Sequence, residues 1–515
     1  MRFRGYIYRK DAETQRKYIM HPKKAIIIGS GVAGMAAAIR LAVQGYAVCV
    51  YETNANPGGK LSMFEKDGYR FDAGPSLFTQ PQNIKELFEL AEEPMDNYFN
   101  YTPVDIACKY FFENGKIVNA FTDKTKFASE LADKLGEQPA SINNYLKRAG
   151  KLYQHVAAIF LDHSLHCKRT WLHTRILKAL AALRLSYLFS TLHKYNRKQF
   201  SSAEATQLFN RYATYNGSDP YKAPAMLSVI SHLEHNEGIF YPAGGMISIT
   251  NALFRLAENK GVRFYFNSPV QRIIYHEGKI TGVVVNNENV YAAVVVSNVD
   301  IYFTYKNLLN HLSKAQRILK QERSSSAVVF YWGVKKHFPQ LQLHNILFSK
   351  NYKEEFNSIF KKKTIYQDPT IYINITSKME TGHAPNGKEN WFVMINVPSN
   401  DGQDWEQLKN QLRDHVIEKI NRILQADIET FIETEEILDP LLIESSMGSY
   451  SGALYGASSN SGLAAFSRPA NFTNYIRGLY FCGGTVHPGG GIPLCFKSAK
   501  IVAELIERDY KKTKH

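Results

Sequence analysis

Apolar and polar positions along the chain alternate in blocks that predict strands and helices in turn. Four short apolar runs have the length and the bulky residues of buried strands. They begin at Ala25, Val48, Ala293 and Gly478. Residues from about 83 to 235 mainly favour helices, with a strand-rich interruption from about Asp105 to Val118. The pattern therefore predicts a mixed α/β fold.

The first apolar run ends in a glycine-rich turn that is typical of a dinucleotide site. Gly29 and Gly31 allow the backbone to approach a pyrophosphate at the start of the next helix, and Gly34 allows that helix to pack closely on the strand. Glu52 closes the second run, where its carboxylate can accept hydrogen bonds from both ribose hydroxyls of an adenosine. This combination predicts a dinucleotide site, and the alternative is a turn that binds nothing.

A second glycine cluster, from Gly483 to Pro493, follows the last apolar run and precedes a helix predicted from about Leu494 to Arg508. Free backbone N–H groups at a helix N-terminus favour a ligand that gains negative charge. A reduced isoalloxazine is such a ligand, whereas a nicotinamide has little use for the second cluster. The two clusters together favour a flavin, and the alternative is a turn that merely closes the fold.

Length and composition limit the class of protein. A chain of 515 residues exceeds the usual size of one hydrophobic core, so two intertwined or successive domains are expected. The five cysteines are scattered without metal-ligand spacing, which argues against a zinc site or disulfide framework and favours a reducing, cytosolic compartment. Residues 1–22 are predicted to be an extension without the apolar region of a secretory signal, and no apolar run is long enough to span a membrane.

These blocks resemble the phytoene-desaturase-type family of FAD-dependent carotenoid desaturases from about Lys23 to Leu505. The matching elements are the first glycine turn with Glu52, a Gly-Gly-Lys element at 58–60, an Asp-x-Gly-Pro turn at 72–75, a Tyr-Pro-x-Gly-Gly block at 241–245, the strand residues 268–270 and the second glycine cluster. Thr485 and Val486 depart from the usual family pattern. The resemblance implies FAD as the cofactor, with contacts from Gly29, Gly31, Val32, Ala33, Gly34, Glu52, Gly58, Gly59, Lys60, Leu61, Gly74, Pro75, Ser76, Val270, Gly483, Gly484, Gly491 and Ile492.

The resemblance also implies a fold and a division of the chain. The expected fold has a Rossmann-like FAD-binding domain of the glutathione-reductase/amine-oxidase type, discontinuous in sequence, and a helical lobe for substrate and membrane. The FAD-binding domain is predicted at residues 23–100, 240–323 and 440–515. The substrate-binding domain is predicted at residues 101–239 and 324–439, including a basic apolar lobe at 151–200.

Two blocks are more similar to one branch of that family, which acts on 1-hydroxycarotenoids or methoxyneurosporene at the 3,4 bond. They are the second glycine cluster and the block from Arg211 to Tyr221. The implied reaction is 3,4-desaturation of a 1-hydroxylated carotene such as 1'-hydroxy-γ-carotene, by hydride transfer to flavin N5 and loss of a proton. Alternatives are a phytoene desaturase, an amine oxidase or a carotenoid isomerase on the same fold and, in another class, a non-catalytic prenyl-lipid escort. Oxygen and a membrane quinone are both open as electron acceptors, as is the oligomeric state.

The sequence offers His487 as the first candidate for the base that accepts the proton, because it lies in the cluster expected beside the isoalloxazine. A histidine there can equally be a hydrogen-bonded turn residue. Asp72 is better suited to stabilising its own turn. His232 and His235 flank Glu234, yet their spacing matches no metal motif, so no metal site is expected.

The formal charge of +15 requires a negatively charged partner, and the excess is local. Between Lys151 and Lys198 nine basic residues stand against one acid, Asp162, with large apolar residues such as Trp171 and Phe189 among them. This composition suits a helix in a lipid interface. We expect peripheral attachment to the inner face of the membrane, from which a carotenoid would enter; a solvated basic surface is the alternative, and no motif supports nucleic acid.

Overall fold

The computed structural model describes residues 23–156, 160–172, 186–309, 320–461 and 468–513, together with residues 176, 179 and 318. The predicted extension at 1–22 lies outside the described residues, as do 157–159, 173–175, 177–178 and 180–185 of the predicted basic lobe. The strands are β1 (Lys24–Ile28), β2 (Ala47–Tyr51), β3 (Met63–Lys66), β4 (Tyr69–Asp72), β5 (Tyr101–Val104), β6 (Ile106–Phe111), β7 (Ile117–Phe121), β8 (Ile239–Pro242), β9 (Arg263–Tyr265), β10 (Val270–His276), β11 (Lys279–Val285), β12 (Glu288–Tyr291), β13 (Val294–Ser297), β14 (Ser326–Val334), β15 (His344–Leu347), β16 (Ile371–Asn374), β17 (Glu389–Val397), β18 (Ile432–Leu438) and β19 (Leu479–Phe481). The longer helices are α1 (Val32–Val43), α2 (Gln82–Leu90), α3 (Lys124–Leu135), α4 (Pro139–Val156), α5 (Leu192–Arg197), α6 (Ala203–Asn210), α7 (Ile247–Asn259), α8 (Tyr352–Asn357), α9 (Trp405–Leu424), α10 (Pro440–Met447) and α11 (Ile492–Thr513).

A five-stranded parallel sheet organises the first half of the fold, in the order β19-β13-β1-β2-β9. Its three central strands, β13, β1 and β2, are short Val- and Ile-rich runs that are largely buried, as parallel strands usually are. The alanine-rich helix α1 follows β1 and packs against both α7 and α11. Because the strands are parallel, their carboxyl ends meet at one edge, where ligands of such sheets bind.

A seven-stranded mixed sheet organises the second half, in the order β18-β14-β17-β16-β15-β6-β7. Alternation along its strands gives it two different faces. Phe330 and Trp332 of β14 belong to the core that includes Leu412 and Val416 of α9, so this helix covers one face. Residues on the opposite face, such as Val329, line a cavity instead.

Smaller sheets and helices complete the structure. Strands β10, β11 and β12 form an antiparallel sheet, and β3–β4 and β5–β8 form two ribbons. Helices α3, α4 and α6 share a core with β6 and β7. The predicted mixed α/β fold with a Rossmann-like sheet is confirmed, whereas the domain boundaries stay a prediction. Among the described residues, every helix is too short or too polar to cross a membrane.

Candidate active site

A cavity of about 660 Å³ begins at the carboxyl edge of the parallel sheet. Four of its wall residues directly follow parallel strands: Gly29 after β1, Glu52 after β2, Asn298 after β13, and Gly483 just beyond β19. From this edge the cavity continues along the open face of the seven-stranded sheet. It therefore joins a site of the kind that binds dinucleotides to a second chamber.

The structure brings together nearly all of the residues that were predicted to contact FAD. With the exception of Gly34, every one of them lines the cavity, including the second-cluster residues Gly483 and Gly491. A Cβ atom on Gly34 would overlap the carbonyl oxygen of Gly29, so this glycine allows α1 to pack against the turn. Its position agrees with the packing role that the motif suggests.

Asn298 connects the two glycine clusters, and the sequence did not single it out as a site residue. A Cβ on Gly31 would lie 2.7 Å from its Nδ2, and one on Gly483 would lie 2.9 Å from its Oδ1. Both glycines are therefore needed for the backbone to pass this side chain. The sequence feature that could have identified Asn298 is its position directly after an apolar run, a position that Glu52 also has.

Glu52 is buried, and the hydrogen bonds around it fix its carboxylate. It accepts hydrogen bonds from Ser30 N at 2.7 Å, Ser30 Oγ at 2.8 Å and Asn54 N at 2.9 Å. These bonds tie the first glycine turn to the end of β2 and hold a negative group at the cavity wall. This arrangement suits recognition of ribose hydroxyls.

Lys60 provides a cationic group on the cavity wall. Its Nζ donates a hydrogen bond to the Leu454 carbonyl at 3.2 Å. Burial lowers the pKa of Lys60, and the charge of nearby Asp300 opposes that shift. Burial in turn raises the pKa of Asp300, which also lines the cavity. A cation at this place suits an anionic portion of a ligand.

Asp72 joins two of the sequence blocks that resemble the desaturase family. It accepts a hydrogen bond from Arg70 Nη2 at 2.7 Å and another from Met246 N at 3.1 Å. Arg70 also donates to the Gly244 carbonyl at 3.1 Å. The carboxylate is therefore occupied in holding the Gly74 turn to the 241–246 block, which is a structural role.

His487, the first candidate for the catalytic base, is absent from the residues that line the cavity. Its side chain is buried, and its Nε2 donates a hydrogen bond to the His163 carbonyl at 2.9 Å. Burial lowers its pKa to about 4. This position corrects the expectation from the glycine cluster, because a side chain directed away from the cavity cannot take a proton from a molecule bound there.

The second chamber has an apolar wall and a polar end. Alternate residues of β14 and β17, among them Val329, Phe392 and Met394, form the wall. The polar end includes Arg211, whose Nη2 lies 2.9 Å from both carboxylate oxygens of Glu234.

This ion pair also explains the His-Leu-Glu-His segment. Tyr212 Oη lies 2.9 Å from Glu234 Oε2 and 2.9 Å from His235 Nε2. Glu234 and His235 are thus engaged by Arg211 and Tyr212 in one buried cluster. Within the part of the chain that the structure describes, no group of His, Cys, Asp and Glu side chains could hold a metal ion.

Comparisons with known proteins agree with this geometry. The profile of the flavin containing amine oxidoreductase family matches residues 32–507. A 1-hydroxycarotenoid 3,4-desaturase of Flavobacterium sp. (strain P99-3) is 49% identical over 484 residues, covering 94% of this chain and 99% of that protein. A 4,4'-diaponeurosporene oxygenase of Staphylococcus haemolyticus is 31% identical, covering 95% and 97%. The crystal structure of an oxidoreductase from Methanosarcina mazei has a TM-score of 0.61 at 15% identity, covering 94% and 100%, which shows a shared fold.

Proposed function

Because the chain belongs to the flavin containing amine oxidoreductase family, we propose that it is an FAD-dependent carotenoid desaturase. Its proposed reaction is the 3,4-desaturation of a 1-hydroxylated carotene such as 1'-hydroxy-γ-carotene. The observation that carries this proposal is the continuous cavity, which links a dinucleotide site to a chamber with an apolar wall. The 49% identity to a 1-hydroxycarotenoid 3,4-desaturase over nearly the whole chain supports the choice of substrate.

FAD fits the residues at the carboxyl edge of the parallel sheet. A Cβ at Gly31 or Gly483 would crowd the Asn298 side chain, so the backbone passes close to it there, and Glu52 and Lys60 place opposite charges on the wall. We assign the adenosine ribose to Glu52, the pyrophosphate to the turn of Gly29 and Gly31, and the isoalloxazine to the region between Gly74 and Gly483. When bound, FAD supplies the oxidant for the two hydrogens that leave the substrate.

The chain's own contribution to the reaction is position and exclusion of water. The apolar wall formed by Val329, Phe392 and Met394 holds a polyene against one side of the chamber. Orienting one carbon–carbon bond in this way removes much of the entropic part of the barrier. Tyr331 Oη donates to the Ala73 carbonyl at 2.8 Å, which fixes the Gly74 turn relative to this wall.

Pigment analysis tests this proposal directly. The protein is co-expressed in strains that accumulate either phytoene or 1'-hydroxy-γ-carotene, and the extracted pigments are analysed by mass. We expect the hydroxylated carotene to lose two hydrogens and phytoene to remain unchanged. Conversion of phytoene indicates a phytoene desaturase, and an isomer of unchanged mass indicates an isomerase. Purified protein without flavin absorbance would overturn the assignment in favour of a lipid escort.

We further propose peripheral attachment to the inner face of the membrane, for which the described part of the basic lobe provides support. The Phe189 side chain is 78% exposed, and Lys194, Arg197 and Lys198 follow it with exposed side chains. An exposed aromatic ring beside a cationic patch suits an interface with anionic lipid. A bilayer-dissolved carotenoid could then enter the chamber without crossing water.

Co-sedimentation with anionic vesicles at low salt tests the attachment. Replacing Lys194, Arg197 and Lys198 by glutamine is expected to weaken binding strongly, because each basic residue near such a surface contributes about 1 kcal/mol. The matched control replaces the exposed residues Arg263, Arg272 and Lys279 of the cofactor half. Equal binding of the two triple variants would contradict the proposal.

A further inference from the structure

The polar end of the chamber contains buried polar atoms that lack hydrogen-bond partners among the described residues. They include His344 Nε2 and Tyr352 Oη. The His344 residue is 2% exposed and Tyr352 is 5% exposed, yet both line the cavity. Burying a polar group without a partner is unfavourable, so such groups at a cavity wall indicate a ligand with a polar atom.

The neighbours of His344 decide which of its ring nitrogens carries the proton. Asn374 Nδ2 donates to the Leu343 carbonyl at 3.0 Å, which fixes the orientation of the amide. The same Nδ2 lies 3.1 Å from His344 Nδ1, so Nδ1 must be the acceptor. Burial lowers the pKa of His344 to about 3, and the ring is therefore neutral with its proton on Nε2. The N–H donor of His344, unpaired among the described residues, therefore belongs to a side chain that lines the cavity.

A chain of hydrogen bonds connects this donor to the proposed isoalloxazine position. Tyr372 Oη lies 2.8 Å from His344 Nδ1 and, on its other side, 2.8 Å from Ser76 Oγ. Because Nδ1 has a single lone pair, Asn374 and Tyr372 share it as donors in a three-centre arrangement, and Ser76 donates to Tyr372. Ser76 belongs to the turn of Gly74, so two hydrogen bonds separate the polar end from the residues assigned to the cofactor.

We propose that His344 and Tyr352 form a subsite for the 1-hydroxyl group of the substrate, with His344 Nε2 donating to the hydroxyl oxygen. Tyr352 Oη then accepts the hydroxyl proton as a hydrogen bond. This inference rests on the proposed function and adds the residues that select the substrate. Only one carbon separates C1 from C3, so holding the hydroxyl also fixes the position of the 3,4 bond in the chamber. A hydrocarbon end would leave both polar atoms unpaired.

The experiment compares two substrates that differ only in the hydroxyl. They are 1'-hydroxy-γ-carotene and the same carotene with a hydrogen atom in place of the 1'-hydroxyl group. We expect the wild-type protein to favour the hydroxylated substrate by roughly 100-fold in kcat/KM, because an analogue without the group leaves buried partners unpaired. Equal rates for the two substrates would overturn the inference and leave the desaturase function intact. Flavin-loaded protein that converts neither would instead overturn the proposed function, and the subsite with it.

Variants of His344 test whether this residue causes the preference for the hydroxylated substrate. His344→Leu is expected to lower kcat/KM about 30-fold for the hydroxylated substrate and less than about 3-fold for the analogue. His344→Gln, which retains an N–H donor, should restore part of the preference. The control is Ile346→Val, since Ile346 lines the same cavity from the same strand without a polar atom. A loss that is equal for both substrates would contradict the assignment.

Tyr352→Phe keeps the test decisive should His344→Leu lose its flavin or fail to fold. It removes a single oxygen that has no partner among the described residues, so folding should be unaffected. The expected result is a preference reduced about 5-fold to 10-fold with an unchanged rate on the analogue. An unchanged preference in this variant would exclude Tyr352 from the subsite.

Discussion

The two ends of the cavity are built in different ways. At the cofactor end the backbone forms most of the wall, with glycines that follow parallel strands and an occasional fixed charge such as Glu52. At the polar end side chains form the wall, and they come from separate strands and helical turns, as Arg211, Glu234 and His344 do. Short motifs therefore specify the cofactor site, whereas selection of the substrate depends on packing between distant segments.

The largest expected effect comes from breaking the ion pair at the polar end. Glu234→Leu leaves the buried Arg211 guanidinium without its carboxylate and should lower the free energy of unfolding by about 3–5 kcal/mol. The control is the double variant with Arg211→Met, because replacing both charges with apolar groups is often nearly neutral. Urea unfolding measures both. If the double variant were as unstable as the single one, the cluster would not behave as a paired unit.

Acid pH should distinguish the buried histidine of the chamber from that of the glycine cluster. The pKa values of His344 and His487 fall from an ordinary 6.5 to about 3 and about 4 because both rings are buried. Below pH 6.5 the unfolded chain therefore binds protons that the folded protein does not, and stability falls by about 1.4 kcal/mol per pH unit for each ring. The contribution of His487 ends near pH 4, and that of His344 continues to about pH 3.

The measurement is the free energy of unfolding as a function of pH in the wild-type protein and in His344→Gln and His487→Gln. In each variant the free energy of unfolding should fall less steeply below pH 6.5 than in the wild-type protein, whatever its stability at neutral pH. Between pH 6.5 and pH 4, the free energy of unfolding of either variant should fall by about 3 kcal/mol less than that of the wild-type protein. A slope equal to that of the wild-type protein would mean that the replaced ring is protonated in the folded state.

At the cofactor end, Gly74→Ala tests the close approach of the backbone. A Cβ here would overlap the carbonyl oxygen of Lys60, so the turn must shift, at a cost of about 2–3 kcal/mol. The ratio of flavin to protein absorbance and the melting temperature should both fall. Gly382→Ala is the control, because a Cβ at Gly382 has open space around it. Normal flavin content in Gly74→Ala would show that the turn does not contact the cofactor.

The sequence predicted the cofactor end well because its signals are local. The apolar runs at Ala25, Val48, Ala293 and Gly478 are close to β1, β2, β13 and β19, and α11 extends the helix predicted from Leu494 to Arg508. Of the seven-stranded sheet, the sequence predicted only the strand-rich segment from about Asp105 to Val118, because the register of the sheet pairs segments that are far apart. His344 and Tyr372 meet through that pairing of β15 with β16, and no spacing along the chain encodes it.

His487 shows the opposite limit, since its motif correctly places the backbone but not the side chain. The glycines around it line the cavity, whereas its own ring points to the His163 carbonyl. Backbone glycines act through conformation, which a short motif determines, while the direction of a side chain depends on what packs around it. Roles inferred from motifs are therefore safer for backbone contacts than for proton transfer.

The smallest effect that we expect concerns the one charged side chain that the dinucleotide motif does specify. Glu52→Gln keeps the shape of Glu52 but replaces a carboxylate that accepts hydrogen bonds from Ser30 and Asn54 with a weaker, neutral acceptor. FAD affinity should fall roughly 10-fold, the equivalent of one weakened charge-assisted bond, and flavin release on dilution measures it. Glu52→Arg should release FAD further, because Arg has no acceptor atom and leaves the N–H groups of Ser30 and Asn54 unpaired. The cofactor site is built mainly from backbone and is separate from the polar end. At saturating FAD, Glu52→Gln should therefore leave the preference between hydroxylated and non-hydroxylated substrate unchanged. A changed preference would mean that the two ends of the cavity are coupled.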